Sequence, residues 1–275
     1  MGIPAVSLAP AFRAKATRGI IASMPEAPTS FANRFRLAAV IFAMIYPSLL
    51  TWVYFTALKD FPGPWQQAAF GIGKLIQFGF PAVWVFLIER RRFALNKPST
   101  HSLGIALTFG LFELAAGFAV YALWLKPTGV FVEPLQEMLA KLQGFGLDSR
   151  IGLIVLAVGY SLVHSWMEEY YWRWYVLHEL RERERSDPDD VPLPARALLI
   201  SSIAFAAHHV IVLAGYFGWA SPWTYVFTGA VAVGGLVFGW LYIRSRSIYA
   251  PWLAHAFADA VIFLIGYDLL AGSLK

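Results

Sequence analysis

Three short runs of this chain set acids and imidazoles within otherwise apolar sequence. The first reads His164-Ser165-Trp166-Met167-Glu168-Glu169-Tyr170-Tyr171-Trp172-Arg173, the second Phe205-Ala206-Ala207-His208-His209 and the third His255-Ala256-Phe257-Ala258-Asp259. Carboxylates and imidazoles are the side chains that most often move protons in catalysis. Inside a bilayer an ionisable group costs at least ~2.5 kcal/mol on insertion scales, so such groups pair with one another or serve a function. Helical spacing sorts them. Glu169 and Arg173 stand four apart, share a face and form a charge pair that lowers the cost of burying both. Glu168 projects about 100° from Glu169 and therefore away from Arg173, and a buried carboxyl without a fixed cation suits a general base. His255 and Asp259 are also four apart, and His209 lies one turn beyond Phe205, whose ring can pack beneath the imidazole.

Plainer explanations stand beside these. Glu169 with Arg173 serves equally well as a purely structural ion pair, and His209 and His255 each fit a hydrogen-bonded core histidine. His208 points about 100° from His209 and reads as its neighbour. His164 sits one turn before Glu168 and reads as a hydrogen-bonding support for it. Lys74 and Glu113 are isolated and fit structural or pore-lining roles, while His101 and His178 fall near the ends of apolar segments.

The elements that must hold these groups are visible in the composition. Of 275 residues, 58% are hydrophobic and only 14% charged, against about 25% charged in a soluble domain; the mean hydropathy is +0.57. Segments near 37–58, 66–88, 101–125, 150–177, 196–217, 223–243 and 250–271 each approach the roughly 20 apolar residues that cross a bilayer. The fold class is therefore all-α, a polytopic membrane helical bundle of about seven transmembrane helices. Residues 130–147 carry Phe131, Leu135, Met138, Leu139 and Leu142 at helical spacing beside Glu133, Glu137 and Lys141, the pattern of a short interfacial amphipathic helix. Three regions result: a basic flexible tail over 1–36, accessory helices with the interfacial helix over 37–148, and a C-terminal region over 149–271 that holds all three acid and imidazole runs and is the candidate core.

There is no Cys, which excludes disulfides, thiolate metal sites and cysteine nucleophiles. The net charge of +5 comes from clusters between apolar spans and leaves no nucleic-acid footprint. Lys and Arg are about threefold enriched in alternate loops, which places the N-terminus in the cytoplasm. The tail, with Arg13, Lys15 and Arg18, has only a short apolar patch before Pro25 and reads as a tail rather than a secretory signal. The segment from Arg181 to Asp190 reads as a solvated, charged loop.

Taken together the three runs resemble the CPBP family, the CAAX protease and bacteriocin-processing (Abi-type) intramembrane proteases that include the type II CAAX prenyl endopeptidases. Its first motif, Glu-Glu-x-x-x-Arg, corresponds to Glu168, Glu169 and Arg173; its second, Phe-x-x-x-His, to Phe205 and His209; its third, His-x-x-x-Asn or Asp, to His255 and Asp259. The likeness spans about residues 150–265, including Gly235 to Tyr242 and Ser247 to Trp252 between motifs two and three. Many members carry Asn where this chain has Asp259, and a carboxyl donates to an oxyanion only when protonated. The resemblance implies an intramembrane endopeptidase that needs no cofactor. Glu168, assisted by His209, would activate water; His255 with Asp259 would stabilise the oxyanion; Glu169, Arg173 and Phe205 would support them. The implied partners are a membrane-anchored protein or peptide substrate and the lipid bilayer, in a bacterial inner membrane. Alternatives within the same fold are a zinc-dependent protease and a non-catalytic scaffold or immunity protein. A transporter using Lys74 and Glu113 is a third, although no internal repeat supports it.

Overall fold

The computed structural model describes residues 30–92, 96–184 and 194–274. Residues 1–29 of the basic tail and 185–190 of the charged loop lie outside the described residues, whereas residues 30–36 and 181–184, expected in that tail and that loop, are helical. Among those described, every regular element is helical and no strand occurs. Seven helices are long and apolar enough to cross a membrane: α1 (Phe35–Ala57), α2 (Gly63–Ile88), α3 (Thr100–Leu125), α5 (Arg150–Arg183), α6 (Ala195–Phe217), α7 (Pro222–Ser245) and α8 (Tyr249–Leu270). The short α4 (Val132–Gly144) separates α3 from α5. The chain is an integral, multi-pass membrane protein.

Local chemistry fixes the helix ends. The Ser99, Ser149 and Ser221 hydroxyls accept from the first free N–H groups of α3, α5 and α7, donors that would otherwise go unbonded. Prolines at the first turns of α2 and α7 sit where no N–H is needed. Gly218, with φ +82°, ends α6 in a conformation that side chains with a Cβ rarely adopt. α5 continues beyond Leu177, where its apolar run stops, because Glu179 is buried against two arginines. Arg36 Nε meets Glu89 Oε1 at 2.8 Å and Arg36 Nη2 meets Glu179 Oε2 at 3.2 Å, while Arg91 bridges both carboxylates. This network binds α1, the end of α2 and α5 at the arginine-rich end of the bundle.

Among the described residues five stretches are wound as π-helix: Val53–Ala57, Val83–Ile88, Tyr121–Leu125, Tyr160–His164 and Tyr170–Leu177. Their widened turns show in bonds five residues apart, such as Leu58 N to Val53 O at 2.9 Å and Lys126 N to Tyr121 O at 2.8 Å. Such turns accumulate where a helix carries function.

α5 is the central helix. Residues from Glu168 to Glu179 are buried on every side, as expected of a helix enclosed by others. α8 packs on α3 and α7, and α6 packs on α7 and α1. Glycines let these axes approach. A Cβ on Gly110 would lie 2.5 Å from Phe257 Cδ2, one on Gly117 3.2 Å from Val261 Cγ2, and one on Gly239 2.4 Å from Leu198 Cδ1. The outer faces expose large apolar side chains, among them Ile45, Leu75, Phe112, Ile154, Val163, Val233 and Ile262, a surface suited to acyl chains.

α4 closes the end opposite the arginine network. Leu135, Met138, Leu139 and Leu142 pack with Leu153, Phe263 and Leu270, and Gln67 Nε2 donates to Gly144 O at 2.9 Å. The Lys141 ammonium lies 4.8 Å from the Tyr54 ring centre and 5.3 Å from that of Phe55. Burial there lowers its pKa below the ordinary lysine value, with Glu137 acting in the opposite sense.

Candidate active site

Glu168 and Glu169 occupy a single α-turn, Ser165–Glu169, between the π-turns Tyr160–His164 and Tyr170–Leu177. Adjacent residues face different neighbours, and the two carboxylates have separate surroundings. Glu169 Oε1 lies 3.0 Å from Arg173 Nη1 and 2.8 Å from His255 Nδ1. A carboxylate only accepts, so His255 carries its proton on Nδ1 and donates it to Glu169. Arg173 Nη2 donates to the carbonyl of Gly235 at 3.3 Å, tying α5 to α7. The guanidinium lies 4.6 Å from the centre of the Phe205 ring and 5.3 Å from that of Phe238, and Phe238 stacks on His255 at 4.7 Å. Two phenyl rings thus flank the ion pair that locks α5, α7 and α8 together.

Glu168 is only 2% exposed and has no arginine or lysine at ion-pair distance among the described residues. Three imidazoles surround it instead. His164 Nε2 and His208 Nε2 each lie 3.7 Å from Oε1, and His255 Nε2 lies 3.8 Å from Oε2. None of these is short enough for a direct hydrogen bond, and contacts of this length leave polar atoms free to share a water. The three rings are held from behind: His164 stacks on Tyr160 at 3.9 Å, His208 on Trp172 at 6.0 Å, and His255 on Phe238.

The structure therefore brings Glu168, Glu169, Arg173, Phe205, His255 and Asp259 into one cluster. Asp259 Oδ1 is 3.8 Å from His255 Nε2, and its other oxygen is buried without a hydrogen-bond partner among the described residues. His209 stands at the edge. Its Nδ1 lies 3.0 Å from the Phe205 carbonyl, and its ring centre is 4.0 Å from that of His208. Because a carbonyl only accepts, Nδ1 bears the proton and Nε2 keeps a lone pair free to accept one. His208, which spacing marks as a mere neighbour, turns its ring toward Glu168. Two consecutive histidines cannot be told apart by periodicity until the rotation of α6 is known. The contribution of the Gly235 carbonyl was equally hidden, since backbone groups carry no residue label.

Two further groups approach from α2 and α3. Lys74 lies within electrostatic range of Glu168 and His164, and Glu113 within that of His255 and Asp259. Among the described residues no three His, Asp or Glu side chains converge closely enough to hold a metal ion. Beside the cluster, an apolar cleft of about 500 Å³ runs between the first half of α5 and α8, from Leu153 and Ser161 to Ala256 and Tyr267.

No curated protein and no solved structure matches this chain. One family model does, described as type II CAAX prenyl endopeptidase Rce1-like, over residues 150–261. The matched stretch takes in all three acid and imidazole runs and excludes α1 to α4. The part of the chain that builds the cluster around Glu168 is therefore the part that is similar to the Rce1-like type II CAAX prenyl endopeptidases.

Proposed function

We propose that this protein is an intramembrane endopeptidase that cuts a peptide bond near the C-terminal or membrane-embedded part of its substrate, with Glu168 activating water. The observation that carries this reading is the division of labour between adjacent glutamates. Arg173 and His255 are engaged by Glu169, which leaves Glu168 uncommitted among three imidazoles at 3.7 to 3.8 Å. A carboxylate so placed can take a proton from a water it shares with those rings. The water oxygen then bonds to the scissile carbonyl carbon, and the carbonyl oxygen becomes an oxyanion. His255, oriented through Nδ1 by Glu169, donates from a protonated Nε2 to that oxyanion, with Asp259 beside it. His209 Nε2 accepts a hydrogen bond from the attacking water and orients it. The proton held by Glu168 passes to the amine nitrogen as the C–N bond breaks. The spacing of the imidazoles supports action on water by the carboxylate itself, and no step requires a metal.

The arginine-rich end, with Arg36, Arg91 and Arg181, supports a topology in which the N-terminus faces the cytoplasm. Purified protein in lipid nanodiscs, offered membrane-anchored reporter peptides and read by mass spectrometry, tests the assignment. Glu168→Gln should retain the wild-type melting temperature and lose at least 100-fold in kcat, the lower end of what a general base contributes. Cleavage by that variant at the wild-type rate would reject the mechanism.

A further inference from the structure

Lys74 is the one basic side chain of α2 within the span, and its surroundings offer an ammonium very little. Its Nζ lies 5.3 Å from the ring centres of both Phe70 and Phe78, one turn to either side. No hydrogen bond or ion pair forms at that nitrogen among the described residues. Gln77, three residues on, makes no bond to it: the Gln77 amide is fully buried and both of its polar atoms are unpartnered. An ammonium has three donors and no acceptor, and a half-buried one without an acceptor is costly. Two aromatic faces relieve part of that cost.

The position of the charge is informative. The Phe78 ring meets His164 at 6.4 Å and Tyr171 at 6.1 Å, both on α5. Lys74 therefore approaches the cluster from the His164 side of Glu168, whereas His255 and Asp259 approach from α8. The ammonium is in electrostatic range of Glu168 but beyond ion-pair distance, so it is no fixed partner for that carboxylate. The phenyl rings on either side align the cation without neutralising it.

We propose that Lys74 is a specificity-determining residue that binds a carboxylate of the substrate, at the end of the peptide lying on the His164 side of the scissile bond. This rests on the peptidase reading and adds to it a requirement for an anionic group a short distance from the cut. The carboxylate is either the free C-terminus or an acidic side chain near it, and both supply the oxygen acceptors that the ammonium lacks.

Three otherwise identical membrane-anchored peptides separate the possibilities: one ending in a free acid, one in a carboxamide, and one in a carboxamide preceded by Glu. Wild-type protein should cleave the free acid at least tenfold better in kcat/KM than the plain carboxamide, a loss typical of a missing charged hydrogen bond. Lys74→Met should erase that ratio, and Lys74→Arg should keep most of it. If the Glu-bearing carboxamide matches the free acid, the recognised carboxylate can come from a side chain; if it matches the plain carboxamide, the recognised group is the C-terminus. A wild-type protein without preference, which needs no variant to observe, overturns the proposal. So does a Lys74→Met protein that keeps the wild-type ratio or slows all three peptides equally. Failure of wild-type protein to cut any of the peptides counts instead against the peptidase reading, and this proposal falls with it.

Discussion

Glu168 and Glu169 differ by one position and by nearly everything around them. Glu169 spends its charge on Arg173 and His255, and losing either partner would strand a buried ion. Among the described residues the only basic groups within 4 Å of the Glu168 carboxylate are imidazoles, each too far for a direct bond. The two histidines of α6 show the same contrast. His208 faces Glu168 and stacks on Trp172, whereas His209 is fixed through its own turn with Nε2 left to accept a proton. Under the proposed mechanism, His209→Ala should lower kcat by about 100-fold or more, and His208→Ala by a smaller factor. Single-turnover cleavage of one reporter by the two variants measures the order, and a larger loss in His208→Ala would move the water-orienting role to His208.

Among the elements, the α6–α7 pair sets how closely the cluster can assemble. Gly235 and Gly239 lie four apart on α7; a Cβ on the first would sit 3.3 Å from the Ser202 backbone, and one on the second 2.4 Å from Leu198 Cδ1. Gly239→Leu should therefore overpack the crossing and cost about 1–3 kcal/mol, seen as a lower melting temperature in detergent. An unchanged melting temperature would show that α6 yields freely. The four-residue spacing of these glycines, a mark of close crossings between membrane helices, was legible in the sequence. So were the seven spans, because bilayer thickness imposes a length that composition cannot hide. The charge pair of Glu169 with Arg173 and the closeness of His164 to Glu168 follow from helical period alone. What spacing could not supply was rotation. The π-turns on either side of Ser165–Glu169 break the 3.6-residue period, and nothing in Tyr160–His164 marks the sequence as one that winds wide. His208 entered the cluster through the rotation of α6, a continuous α-helix without such turns, and the Gly235 carbonyl as a backbone group that sequence does not mark. The link of Lys74 to the site was invisible for another reason: it is made through Phe78, across two helices distant in sequence.

At the scale of the whole molecule, one end is tied by charge and the other by α4. The network of Arg36, Glu89, Arg91 and Glu179 fastens three elements at the arginine-rich end, and the leucines of α4 close the opposite end. The proposed topology puts the first end in the cytoplasm. The chain has no cysteine, so single-cysteine variants report sidedness without background. In intact cells Lys59→Cys should react with an impermeant maleimide. Arg246→Cys, at the left-handed turn that ends α7, should react only after permeabilisation. The opposite labelling pattern would invert the topology. Glu113 and Lys74, which α3 and α2 bring toward the cluster, show that the helices outside the matched family segment also shape its electrostatics.

The wide turn at Tyr160–His164 also constrains how such a chain can change over generations. It holds one residue more than ordinary winding needs, so a one-codon deletion there would let the helix relax into its commoner form. That local gain would swing Arg150–Gly159, together with the Ser149 cap, by about 100° relative to Glu168. Point replacements that spare Tyr160 and His164 leave this register intact, whereas a change in length by a single residue does not.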